Sequence, residues 1–238
     1  MLLTLDLKSH AACRAGDHVH GRVDIAVGYR YEKELRASDE ILARDLRGGA
    51  DPRERVADAV RHRGGQLADR ISQYIQAFEA LGAGSGASSG LLALNRPEVL
   101  MIIGASQTQG YRRTALHPLG SLDDHAYVLS DAGVTTLIID PTEAFVERAI
   151  GLLEKVPSLK QILTIGPVPD ELTGSAIDLA AEAAKYEPQP LKAADLAPDH
   201  VGGLTYTGGT TGKPKGVIGT TQSISTMTTI QLAEWEWP

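Results

Sequence analysis

The residues with the strongest chemical pattern are Tyr206-Thr207-Gly208-Gly209-Thr210-Thr211-Gly212-Lys213-Pro214-Lys215-Gly216-Val217. Three glycines and three threonines fill the six positions from Thr207 to Gly212, and Lys-Pro-Lys-Gly follows at once. Glycine permits φ > 0 and a close approach of backbone to ligand. Successive N–H groups in such a loop converge into an anion-binding nest. Threonine hydroxyls add donors without bulk, and Lys215 adds a full positive charge. These properties together suit a polyphosphate. A flexible Gly/Thr turn with two solvated lysines would use the same residue types. The fixed order directly after an apolar run (Val201, Leu204, Tyr206) instead favours an anion-wrapping loop that leaves a buried strand. The spacing excludes a Walker A loop, because Gly212-Lys213 is followed by Pro214 and position 207 is not glycine. Proline also lacks the N–H that a phosphate-binding helix start would offer.

Other residues with chemical potential carry less. His10, His18, His20 and His62 have no acidic or cysteine partner at ligand spacing, so they read as exposed side chains and no metal site is expected. Cys13 is the single cysteine and cannot form an internal disulfide, which fits a reducing cytosol and a cytoplasmic protein. The run Gly82–Gly90 could be a second phosphate cradle. It follows a helix, carries no lysine and lacks GxGxxG spacing, so it reads as a helix-to-strand linker. Trp235 and Trp237 alternate with Glu234 and Glu236 and read as core residues rather than a ligand platform.

The elements that must position the loop follow from periodicity. Asp51-Pro52-Arg53-Glu54 reads as a helix start, with Asp51 as N-cap and Pro52 at the first helical position. Leu67, Ile71, Tyr74, Ile75, Phe78 and Leu81 mark one face of a helix that Gly82 ends. Strands are then predicted over 91–94, 111–116, 134–139, 162–165 and 204–206. Helices are predicted from Asn95, from the capping box Ser121–Asp124, over 141–156, over the alanine-rich 176–186 and over 220–235. Such alternation predicts a parallel sheet covered by helices on both faces. Ligands of such sheets bind at the carboxyl ends of strands, where the loop after Tyr206 should lie.

Composition sets the outer bounds. The 238 residues are 42% hydrophobic and 22% charged, ordinary for a globular chain. A formal net charge of −7 argues against a nucleic-acid surface. No apolar run approaches the ~20 residues that span a bilayer, so no transmembrane segment is expected.

The stretch from Tyr206 to Val217 resembles the phosphate-binding signature of the adenylate-forming superfamily, aromatic-Thr-Ser-Gly-Thr-Thr-Gly-x-Pro-Lys-Gly-Val. The match departs only at Gly208, where serine is usual; one hydroxyl donor is lost and the loop stays small. Leu91-Leu-Ala-Leu-Asn-Arg-Pro-Glu98 and His117-Pro118 followed by Ser121–Leu129 extend the similarity, whose wording is closest to actinobacterial fatty-acid-CoA ligases. The resemblance implies the N-terminal, parallel-sheet α/β portion of that fold, left incomplete. Residues 65–238 would be a truncated N-terminal AMP-binding domain and residues 1–64 an unassigned, partly helical lead-in. It also implies small-molecule partners: ATP, a carboxylic acid, Mg²⁺ across the phosphates, and coenzyme A as thiol acceptor. In that scheme Thr207, Gly208, Gly209, Thr210, Thr211 and Gly212 hold the β- and γ-phosphates, and Lys215 helps close the loop.

Two departures limit the expectation. Residues 1–62 lack the family's strand-forming lead-in. No Tyr-Gly-x-Thr-Glu stretch, ribose-binding aspartate or C-terminal lysine domain appears. The chain is therefore expected to hold no catalytic residue and to be inactive alone. A non-catalytic nucleotide-binding module or a degenerate pseudoenzyme is the alternative. An unfinished sheet should leave apolar surface and an edge uncovered, which predicts self-association.

Overall fold

A computed structural model describes residues 52–208 and 213–234. Helix α1 runs from Pro52 to Ala80. The expected N-cap Asp51, Cys13, the three N-terminal histidines, Trp235 and Trp237 lie outside the described residues. Sequence reading places a helix start at Asp51 and a second helical face from Leu67; a single helix runs through Gly64-Gly65 instead. Each glycine costs about 1 kcal/mol relative to alanine in a helix interior. The run of helix formers on either side absorbs that cost. The C-terminal half of α1 is inserted in the core through Tyr74, Ala77 and Phe78, whereas Leu67 is 39% exposed. The helix ends as expected at Gly82, which takes φ 65°. Ala83 N–H donates to the Phe78 carbonyl at 2.9 Å and Gly82 N–H to Glu79 at 3.1 Å, the paired bonds of a Schellman cap.

Strand β1 (Ser88–Leu92) follows and is buried at every position. The linker expected over 82–90 is thus shorter than predicted, because its Ser-Ser-Gly end is already strand. Small residues are required there: a Cβ on Gly90 would stand 2.7 Å from Leu129 Cδ2. Leu94, expected in this strand, is 50% exposed. Helix α2 (Pro97–Gln109), β2 (Arg112–Ala115), α3 (Leu122–Asp131), β3 (Thr136–Ile139), α4 (Glu143–Lys155) and β4 (Gln161–Thr164) alternate as predicted. The Ser121–Asp124 capping box is present in both directions. The alanine-rich segment differs from expectation. Ala176–Asp178 is strand β5, and only Leu179–Ala183 is helical, as α5. Asp178 is the reason: its carboxylate accepts from Ala181 N–H at 2.9 Å and caps the helix three residues late.

Strand β6 (Val201–Thr207), β7 (Lys215–Thr220) and α6 (Thr221–Glu234) complete the chain. The seven strands lie in the order β5-β4-β3-β1-β2-β6-β7. All neighbours are parallel except β6 and β7, which are antiparallel. The α/β class therefore holds, and the sheet is mostly rather than wholly parallel.

One apolar layer joins α3 and α4 to the sheet through Leu129, Leu137, Ile139, Leu152 and Ile162. The other joins α1, α2 and α5 through Phe78, Ile102, Ile138, Leu163 and Leu179. Cover thins toward β7. Val217 and Ile218 point to opposite faces of their strand, yet are 56% and 59% exposed; Met227 and Ile230 on α6 are 54% and 56% exposed. Among the described residues no helix is long and apolar enough to cross a membrane.

Candidate functional site

The glycine- and threonine-rich stretch connects β6 to β7. It is therefore the tip of an antiparallel hairpin at the carboxyl end of β6, rather than a strand-to-helix turn. Thr207 pairs with Lys215 and Tyr206 with Gly216. Two of the expected phosphate-binding residues, Thr207 and Lys215, thus face each other across the hairpin base. Thr207, Gly208 and Lys215 are exposed. Gly209, Thr210, Thr211 and Gly212 lie outside the described residues. Strand β6 is half-buried, not buried, because β7 and the flank beyond it are open to solvent.

Two glycines of the motif play different parts. A Cβ on Gly208 would meet nothing within 4 Å, so the serine usual at this position would fit. A Cβ on Gly216 would stand 3.0 Å from Tyr206 Cζ and 3.2 Å from its Oη. Gly216 therefore makes room for the ring of its cross-strand partner. That ring is held at its far end, where Tyr206 Oη donates to Asp131 Oδ2 at 2.5 Å. Burial first, then this bond and the Asp131 charge, push the Tyr206 phenol well above its ordinary range. After the loop, Lys213 Nζ sits 5.2 Å over the Tyr127 ring. Neither Tyr127 nor Asp131 stands out from residue order alone. Their spacing is visible in the sequence, but their hairpin partners emerge only from strand order.

The turn between β2 and α3 borders the same end of the sheet. His125 is buried and its Nε2 lies 2.8 Å from the His117 carbonyl oxygen, so Nε2 carries the proton and donates. Nδ1 is then the acceptor for Arg148 Nη1 at 3.2 Å. Arg148 also donates to the Gly120 carbonyl. Burial is the main cause that lowers the His125 pKa, and Arg148 adds to it against the opposing pull of the His117 carbonyl.

The crevice that doubly wound sheets usually offer lies between the strands whose connections run in opposite directions, here β1 and β3. It is already filled. Arg96, after β1, pairs with Asp140, after β3, at 2.7 Å, and with Glu98 at 3.3 Å. The hairpin at the end of β6 instead presents two exposed cations, Lys213 and Lys215, at this end of the sheet.

A model for the family described as AMP-binding enzyme matches residues 45–237. Over 175 residues the chain is 80% identical to the N-terminal part of the medium/long-chain-fatty-acid–CoA ligase FadD8 of Mycobacterium tuberculosis, covering 74% of this chain and 31% of that protein. The fold matches the anthranilate CoA ligase AuaEII, solved with anthranoyl-AMP, at TM-score 0.59 and 25% identity, over 66% of this chain and 29% of that one. It matches ATP-bound MatB from Rhodopseudomonas palustris at TM-score 0.60 over 72% of this chain and 32% of that one; at 20% identity this likeness concerns fold alone. The chain spans under a third of each of these proteins.

Proposed function

Because this chain belongs to the AMP-binding enzyme family, we propose that it supplies the phosphate-gripping N-terminal portion of an ATP-dependent fatty-acid–CoA ligase. The overall reaction joins a carboxylic acid to ATP with release of pyrophosphate, then passes the acyl group from the adenylate to the thiol of coenzyme A. In this reading residues 65–238 carry the AMP-binding portion. Thr207, Gly208, Gly209, Thr210, Thr211 and Gly212 hold the β- and γ-phosphates and Lys215 closes on them.

The observation that carries the reading is the hairpin itself. The family's signature sits at an exposed strand end, with Thr207 opposite Lys215 and open space at Gly208. The chemistry needs such a feature, because a carboxylate must approach a polyanion. Fixed N–H donors, hydroxyls and ammonium groups offset the repulsion without reorganising during the reaction. Mg²⁺ would enter on the phosphates of ATP and spread their charge. Among the described residues no group of three His, Cys, Asp or Glu side chains is placed to hold a metal independently. No residue is assigned to the chemical steps. The single cysteine and the absence of a spanning helix among the described residues support a cytoplasmic setting. The exposed Val217, Ile218, Met227 and Ile230 support self-association of the isolated chain.

Calorimetric titration with Mg·ATP and with magnesium tripolyphosphate tests the reading. The expected Kd is on the order of 1 mM, equivalent to about −4 kcal/mol, and similar for both ligands because only phosphate is gripped. Lys215→Ala should abolish both. A preference for ATP of about tenfold or more, or binding indifferent to Lys215→Ala, would refute it. Pyrophosphate release from ATP with fatty acid and coenzyme A should be undetectable. Positioning of reactants can be worth about 7–11 kcal/mol, and a phosphate grip alone provides little of it.

A further inference from the structure

Helix α3 touches both flanks of the loop. The Asp131 carboxylate accepts a hydrogen bond from the hydroxyl of Tyr206, two residues before Gly208, at 2.5 Å. Tyr127 lies under Lys213 at 5.2 Å, two residues before β7 begins. Tyr127 and Asp131 are four residues apart, so they share one face of the helix. The helix is a firm base. Its N-terminus is closed by the Ser121–Asp124 capping box, and His125, Val128 and Leu129 are buried beneath it. Both flanking residues of the loop are thereby tied to one rigid element that contributes nothing to the phosphate motif.

We infer that α3 is a positioning clamp for the phosphate loop, with Asp131 fixing the incoming strand through Tyr206 and Tyr127 fixing the outgoing end through Lys213. This rests on the polyphosphate reading given above. The physical reason is preorganisation: flanking groups that are already placed lose less conformational freedom when an anion binds between them. Neither residue needs to touch the ligand. Sterically the two ties are independent, so each should be removable without unfolding the helix.

The test combines affinity with local hydrogen exchange on the 238-residue chain, using magnesium tripolyphosphate as the probe. Tyr127→Leu should weaken binding about two- to fivefold, as expected for a lost cation–π contact. Tyr127→Phe should restore it, because the ring face is kept. Asp131→Ala should weaken binding by about three- to tenfold, the scale of a partly exposed charge-assisted hydrogen bond, with Asp131→Asn restoring part. Amides over 204–208 and 213–218 should exchange faster in Tyr127→Leu and Asp131→Ala, while those of β1 and β3 stay unchanged. Faster exchange there with unchanged affinity would make the ties merely structural and overturn the inference. Unchanged exchange would overturn it outright. If the unmodified chain binds no tripolyphosphate, the polyphosphate reading falls, and the exchange data still decide whether α3 holds the hairpin.

Discussion

Replacing Gly216 by alanine pits two effects of opposite sign against each other. Gly216 is in the interior of β7 and does not have a positive φ. Alanine at such a position normally stabilises by about 0.5–1 kcal/mol, because glycine loses more backbone freedom on folding. Against this, the new Cβ would meet Cζ, Oη and Cε1 of the Tyr206 phenol at 3.0, 3.2 and 3.4 Å. Carbon atoms prefer separations of about 3.5–4.0 Å, so the ring must retreat by about half an ångström. The ring is not free to do so, since Oη is tied to Asp131. Overpacking of this kind costs about 1–3 kcal/mol. The clash wins, and Gly216→Ala should destabilise the hairpin by about 1 kcal/mol. The ring alone decides that outcome. In a Tyr206→Ala background the same Gly216→Ala change should reverse sign and stabilise by about 0.5–1 kcal/mol. Native-state hydrogen exchange at Leu204–Thr207 and Gly216–Ile218 reads the local opening free energy directly, with about fivefold in rate for each 1 kcal/mol. Equal effects of Gly216→Ala in both backgrounds, of either sign, would refute the steric reasoning.

Two further outcomes follow from neighbouring observations. Gly208→Ser adds a hydroxyl donor where a Cβ meets nothing within 4 Å. It should tighten tripolyphosphate binding by about threefold to tenfold and leave hairpin exchange unchanged; weaker binding by calorimetry would show that the position needs glycine. His125 should make the core acid-sensitive. Its folded pKa lies below the ordinary value of 6.5, so the unfolded chain takes up the proton first. Its contribution is constant above about pH 6.5, is lost as pH falls from there to the folded pKa, and is flat below that. Urea unfolding between pH 7.5 and 5 should show the loss, at no more than about 1.4 kcal/mol per pH unit from this group. His125→Gln should remove that slope, and an unchanged slope in the variant would rule the histidine out.

Much of the scaffold is readable from residue order because its determinants are local. The run Val134–Ile139 reads as a strand from its β-branched residues, and Ser121 to Asp124 announces a helix start by side-chain chemistry alone. The segments misjudged are those where a local preference is overridden. Alanine-rich 176–186 favours helix, but the Asp178 cap moves the start and leaves Ala176–Asp178 to pair with β4. Strand β7 is hidden because Lys-Pro-Lys-Gly looks like the tail of a loop, and because Val217 and Ile218 give no one-sided apolar alternation. For the site the division is similar. The motif from Thr207 to Lys215 is legible by composition and order. Its hairpin form and its ties to Tyr127 and Asp131 depend on β6 lying beside β2, a non-local fact that no window of sequence contains.

The gradient of cover across the sheet bears on how ligand binding can be detected. Strands β1, β3 and β4 lie among fully buried side chains, whereas β7 and α6 carry exposed ones. Regions with so few buried contacts open at lower free energy than the core, so on the proposed function the phosphate-binding hairpin belongs to a unit that melts before the rest. A ligand held there stabilises only states in which that unit is closed. Once heat has opened the hairpin, the core unfolds from a state that no longer binds. A melting temperature would then barely register an occupied loop, while exchange at 204–208 and 213–218 would slow in proportion to occupancy.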